Sequence, residues 1–165
     1  MNNTNPLFQE SPLLDNAVCF SKIKPEHFLP ALDHAITLAK NNIAAIKNAS
    51  EPISFKNTAE ALEVSAEEVE HVSGVFHYLY SAEGPDEIHA LAKEIAPKLA
   101  TFGSDVSLDP ILFERIKKLY EARNTLKLNT EEARLLEKQY HDFVRNGALL
   151  NEAQKNQLRA IDQEL

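Results

Sequence analysis

The sequence predicts an all-α fold of antiparallel helical hairpins, packed as one bundle-like domain behind an extended N-terminal arm. Only four glycines occur in 165 residues, and strand-like alternation of apolar and polar residues is absent over any useful length. Apolar residues instead recur at spacings of three and four, the period of a helix with one buried face. At this length, with 44% hydrophobic residues, the chain can bury one sizeable core.

Residues 1–23, which bear Pro6 and Pro12, read as the arm, and residues 24–165 as the helical domain. Pro25 followed by Glu26 suits the first turn of helix one, because proline has no N–H to leave unpaired there and an acid favours the positive helix end. Phe28, Leu32, Ile36, Ala39, Ile43 and Ile46 then fall on one face. Ser50-Glu51-Pro52 breaks the pattern. Ser54 can cap helix two, whose stripe runs through Ala59, Leu62, Ala66, Val69, Ser73, Phe76 and Tyr80.

Gly84-Pro85-Asp86 reads as a turn. Helix three carries Ile88, Leu91, Ile95, Leu99, Phe102 and Val106 past Pro97, which removes one helix hydrogen bond and should bend it. Asp109-Pro110 supplies a cap and a first-turn proline for helix four, with Leu112, Phe113, Ile116, Leu119 and Tyr120 as its apolar face. A short linker, Asn124 to Leu128, precedes Asn129 and Glu132, a variant capping box that starts helix five. Its apolar face is Ala133, Leu136, Tyr140, Phe143 and Val144, and Asn146-Gly147 is a place to leave a helix. Asn151 caps helix six, which shows Leu158, Ile161 and Leu165. The sequence stops inside that pattern without a glycine, proline or basic residue, so the domain is expected to be truncated at its C-terminal end. No internal repeat of fixed period is present.

Twenty-five acidic against 17 basic residues give a net charge of −8, with no basic stripe to neutralise phosphates, so nucleic acid is excluded as a partner. No apolar run approaches the roughly 20 residues that span a bilayer, and the start has no basic segment followed by an apolar one, so a membrane is excluded and a cytoplasmic location is expected. Cys19, the single cysteine, has no internal disulfide partner and reads as a small buried hydrophobe.

Chemistry-bearing residues form no recognisable set. None of His27, His34, His71, His77, His89 or His141 is followed by Glu, so the H-E-x-x-H zinc-peptidase motif is absent. Glu68-x-x-His71 has the spacing of a carboxylate-bridged di-iron helix, but Asp86 with His89 and Glu137 with His141 are imperfect counterparts, and solvated helix-face pairs explain all three. Cys19 has no evident histidine neighbour, and no Gly-x-Ser-x-Gly elbow exists. Glu67, Glu68 and Glu70 read as a solvated face, and Tyr78 and Tyr80 as core aromatics at helical spacing. The expected catalytic, cofactor-binding and metal residues in this chain are therefore none.

Three stretches nonetheless resemble, in order, the N-terminal region of the thimet oligopeptidase family of zinc metallopeptidases. The first is Asn5-Pro6-Leu7 followed by Phe20-Ser21-Lys22-Ile23-Lys24-Pro25-Glu26-His27-Phe28-Leu29-Pro30-Ala31-Leu32. The second is Phe55-Lys56-Asn57-Thr58-Ala59-Glu60-Ala61-Leu62-Glu63 with Val75-Phe76. The third is Asp142-Phe143-Val144-Arg145-Asn146-Gly147-Ala148-Leu149-Leu150. Ser107-Leu108-Asp109-Pro110-Ile111-Leu112-Phe113-Glu114-Arg115 looks more like the bacterial peptidyl-dipeptidase (dipeptidyl carboxypeptidase) branch than oligopeptidase A. The resemblance implies a longer parent in which residues beyond Leu165 bind zinc and hydrolyse short peptides, while these residues form a non-catalytic wall or lid of the substrate channel beside the catalytic portion of the same chain. The contrasting expectation is a free-standing helical adaptor that binds a partner helix or peptide between its hairpins.

Overall fold

A computed structural model describes residues 5–82 and 86–164. Six helices of more than one turn carry the fold: α1 (Phe28–Asn48), α2 (Glu67–Ser81), α3 (Asp86–Ser107), α4 (Pro110–Ala122), α5 (Thr130–Arg145) and α6 (Glu152–Glu164). No strand occurs among the described residues. The expected all-α fold is thus the observed one. Gly84, Pro85 and Leu165, assigned above to a turn and to the last stripe, lie outside the described residues, as do Met1 to Thr4 of the arm.

By packing, the chain divides into two compact units, Met1–Lys40 with Ala66–Ala96 and Asn41–Ser65 with Pro97–Leu165. In the first unit the arm is folded on itself by 3-10 turns at Pro6–Phe8, Leu14–Asn16 and Phe20–Lys22. Asp15 and Asn16 adopt φ of 54° and 55°, a left-handed conformation that short polar side chains tolerate best. Asn5 accepts from the Leu7 N–H and donates to the His27 carbonyl at 2.8 Å, which ties the arm to the 3-10 turn Pro25–His27 before α1. Leu7, Phe28, Ala31, Leu32, Ala35, Val69, Val72, Val75, Phe76, Ile88 and Ile95 are buried. Phe28 meets Phe76 edge to face with centroids 5.4 Å apart.

Helix two differs from expectation. Ser54 does cap it, exchanging hydrogen bonds with Asn57, but the chain then winds as a π turn (Lys56–Glu60), a single α turn (Ala61–Glu63) and a 3-10 turn (Val64–Ala66) before α2 begins. Wider and then tighter winding shifts the face that points inward. The buried positions of α2 are Val69, Val72, Val75 and Phe76, whereas Ser73 is half-exposed and Tyr80 exposed. Glu67, Glu68 and Glu70 occupy the first turn of α2, where the positive end of the helix favours them. Tyr78, expected in the core, is 71% exposed.

In the second unit the caps stand where the sequence placed them. Asp109 accepts from the N–H groups of Ile111 and Leu112, and its carboxylate pairs with Lys47 Nζ at 2.5 Å. Asn129 with Glu132, and Asn151 with Gln154, form reciprocal capping boxes at α5 and α6. At the end of α5 the Gly147 N–H reaches the Val144 carbonyl and the Ala148 N–H the Phe143 carbonyl, the paired bonds of a Schellman stop, with Gly147 at φ +93°.

Helices α4 and α5 pack against each other and against the π turn. Phe113 lies beside Phe143, and Tyr120 stacks on Tyr140 at 4.0 Å, so the partner number falls as α4 advances and the pair is antiparallel. Leu112, Phe113, Ile116, Leu119, Leu136 and Phe143 are buried, whereas Ala133, expected on the inner face, is exposed in the first turn of α5. The inward places left over are taken by Arg115 on α4 and Gln139 on α5.

Phe76→Ala should cost about 3–5 kcal/mol, as expected for a buried aromatic truncated to a methyl, and chemical denaturation monitored by circular dichroism will measure it. Gly147→Ala should cost roughly 1–2 kcal/mol through its positive φ, because the side-chain atoms that an added Cβ would meet, Leu150 Cδ1 at 2.8 Å and Leu158 Cδ2 at 3.0 Å, are movable ends.

Candidate functional site

One open pocket of about 310 Å³ lies in the first unit, between the folded arm and the start of α2. Pro6, Leu7, Phe8, Pro12, Val18 and Ile23 give it an apolar lining, and Glu10, Cys19, Lys22, Glu67, Glu68 and His71 supply polar groups. The arm reaches this position because Asn5 anchors its beginning and Ser11 closes it with bonds to Asn16 and Ala17. The pocket therefore collects several of the residue types that could carry chemistry.

Their arrangement is not that of a reaction centre. Cys19 is half-exposed rather than buried as expected, and its Sγ lies 3.6 Å from Ser21 Oγ, a hydroxyl that cannot serve as the base a thiol nucleophile needs. Glu67 and Glu68 sit in the first turn of α2, a place that favours acidic side chains for helix stability. Among the described residues no three His, Cys, Asp or Glu side chains are grouped so as to hold a metal ion, so the residues present do not fit a zinc site.

The other histidines make contacts of a structural kind. His27 Nδ1 accepts from the Lys24 N–H at 3.0 Å and closes the turn that leads into α1. His34 meets Phe8 edge-on at 5.2 Å, His89 meets Tyr80 at 4.8 Å, and His141 lies against Tyr120 at 5.8 Å. His77 stands against its neighbour Phe76.

Among the described residues, three long polar side chains that escaped the sequence reading are buried. Arg115 and Gln139 are each 8% exposed and Lys155 is 3% exposed. Lys155 Nζ donates to the Leu108 carbonyl at 3.3 Å and lies 3.6 Å from Glu152, while Ser104 donates to Asp162 at 2.6 Å. These bonds hold α6 to the end of α3, with Leu158 half-buried and Ile161 exposed. Arg115 and Gln139 occupy apolar-stripe positions of their helices, and that placement was the one signal of their burial.

No family model matches the chain. The chain is 33% identical over 162 residues to the dipeptidyl carboxypeptidase of Salmonella typhimurium (strain LT2), covering 98% of this chain and 24% of that protein. The Escherichia coli (strain K12) dipeptidyl carboxypeptidase is 33% identical over 164 residues, with 99% and 24% covered. This chain is a homologue of thimet-family oligopeptidases. Oligopeptidase A of E. coli is 23% identical over 144 residues, covering 87% of this chain and 21% of that protein. The likeness falls on the N-terminal part of these relatives, and the chain spans 24% of the length of the two dipeptidyl carboxypeptidases. Identity to them exceeds identity to oligopeptidase A, the order that the Ser107 to Arg115 stretch suggested.

Two outcomes follow from this geometry. Asp109→Ala removes a cap together with the Lys47 pairing and should cost about 1–2 kcal/mol, measurable as a lowered unfolding midpoint. The purified chain should keep no stoichiometric zinc after dialysis against a weak chelator, as read by atomic absorption.

Proposed function

We propose that this chain is the N-terminal, non-catalytic helical domain of a zinc-dependent metallopeptidase that cleaves short peptides, an oligopeptidase or peptidyl-dipeptidase. The observation that carries the reading is 33% identity across 98% of this chain to a dipeptidyl carboxypeptidase. In this reading zinc and the catalytic residues lie beyond Leu165, and the arm 1–23 and the helical domain 24–165 form part of the wall or lid of the substrate channel. The partner of this surface is then the catalytic portion of the same parent, and short peptides are the substrate. A cytoplasmic location agrees with a lone cysteine that has no disulfide partner in the chain.

Support for a wall comes from the distribution of chemistry. The histidines other than His71 have structural contacts, and the polar groups in the core hold helices together. A wall needs rigid elements, and within the second unit the capped, internally bonded helices supply them. In the gene, an in-frame H-E-x-x-H downstream of Leu165 is expected, and a reading frame lacking it overturns the peptidase reading. In the full-length protein, a non-hydrolysable short peptide carrying a photo-crosslinker should label residues within 1–165 as well as the catalytic portion. Labelling confined to residues beyond 165 would overturn the wall role while leaving the peptidase reading standing.

A further inference from the structure

In the first unit the arm and the start of α2 enclose an open pocket of about 310 Å³, at the lower end of the roughly 300–1,000 Å³ of sites for small ligands. That size suits one long side chain with its flanking backbone. The arm holds its shape before any ligand arrives, because Asn5 ties it to the turn ahead of α1 and Ser11 bonds to Asn16 and to Ala17. Leu7 is buried and Phe8, Val18 and Ile23 are half-buried, so the pocket has apolar walls.

Charge on the lining is one-sided. Glu10 comes from the arm and Glu67 and Glu68 from α2, while Lys22 is the one lysine or arginine among the described residues that line the pocket. A helix start by itself explains acids at Glu67 and Glu68, since the first turn favours them, but Glu10 lies on the arm and owes nothing to that helix. The positive end of α2 offsets about half a charge and Lys22 one more, so the three carboxylates outweigh both together.

We propose that this pocket binds the side chain of a lysine or arginine carried by a short peptide, with its stem against Leu7, Phe8, Val18 and Ile23 and its cationic head among the three carboxylates. Long basic side chains lay an apolar stem along apolar surface while the charged head stays near water and pairs with carboxylates, and an open pocket with this lining meets both needs. An acidic side chain would be repelled, and an uncharged one would gain from the walls alone. The peptide as source rests on the peptidase reading above, in which short peptides are the substrate. The preference for a cation rests on the pocket alone.

The test uses the whole chain and three blocked tripeptides, with alanine on either side of lysine, norleucine or glutamate. Followed through backbone amide resonances, the lysine peptide should shift residues between Leu7 and Ile23 together with Glu67 to His71, and bind about tenfold more tightly than the norleucine peptide. The glutamate peptide should leave these residues unshifted. Glu68→Gln keeps the shape and removes one charge, so it should lower the preference for lysine about threefold and leave norleucine binding unchanged. Equal binding of the lysine and norleucine peptides, shifts confined to other residues, or no binding of the lysine peptide at millimolar concentration would overturn the proposal. Concentration-dependent shifts of the same residues without any peptide would make a second copy of the chain the occupant and overturn it as well. The peptidase reading is decided separately, by the downstream H-E-x-x-H. Should Glu68→Gln fail to fold, the three peptides on the unaltered chain still decide the matter.

Discussion

At the starts of α4, α5 and α6 the first-turn N–H groups, which have no acceptor within the helix, are taken up by short polar side chains at fixed places. Asp109 takes two such groups at the start of α4, and Asn129 and Asn151 each take one at α5 and α6. Because these residues fix where each helix begins, they also fix which side chains fall on the inner face. Asp109 adds a second constraint, since its carboxylate holds Lys47 in the last turn of α1. There a basic residue is also favoured by the negative helix end. Capping and helix-to-helix attachment are thus one interaction at this point of the second unit.

The other end of the same logic is the stop after α5. A Schellman turn needs a residue at positive φ, and Gly147 supplies it without the strain a Cβ would bring. Its paired bonds satisfy carbonyls at the end of α5 and deliver the chain to Asn151, which starts α6 three residues beyond the buried Ala148. Helix α6 is then attached by polar contacts, Lys155 to the Leu108 carbonyl and Asp162 to Ser104, with Leu158 half-buried beside them. Its Ile161 is exposed.

How much of this was legible in the sequence depends on the local signal. Helices α1, α4 and α5 were legible because a cap or a first-turn proline coincides with a clean apolar period, and α3 through its apolar period alone; Phe28, Leu32, Ile88, Ile95, Leu112, Ile116 and Leu136 are buried where the stripes put them. Helix two was legible only in part, with Ala59, Val69 and Phe76 buried as its stripe put them, because reading a stripe assumes one uniform winding. Lys56–Glu60 winds as a π turn, and the Ala59 carbonyl bonds to Gln139 on α5. That bond is made by a residue 80 positions away, and nothing local announces it. The change of winding then turns Val72 and Val75 inward in place of Ser73 and Tyr80. Arg115, Gln139 and Lys155 were missed for a related reason. A binary reading assigns every long polar side chain to the surface, and burial of these depends on partners supplied by other elements.

The functional resemblance was legible for a different physical reason. The stretches that carried it, Phe20 to Leu32, Phe55 to Glu63 and Asp142 to Leu150, hold the lead-in to α1, the π turn and the Schellman stop, which are places where the backbone departs from regular winding. Residues at such places are constrained by backbone geometry and by specific bonds as well as by hydrophobicity, so few alternatives serve. His27 closes a turn through its ring nitrogen, Thr58 receives Arg115, and Gly147 adopts a positive φ. A regular apolar stripe, by contrast, accepts many combinations of Leu, Ile and Val. In these three stretches the resemblance thus falls on irregular backbone that carries no chemistry, and it could be seen without a single catalytic residue in view.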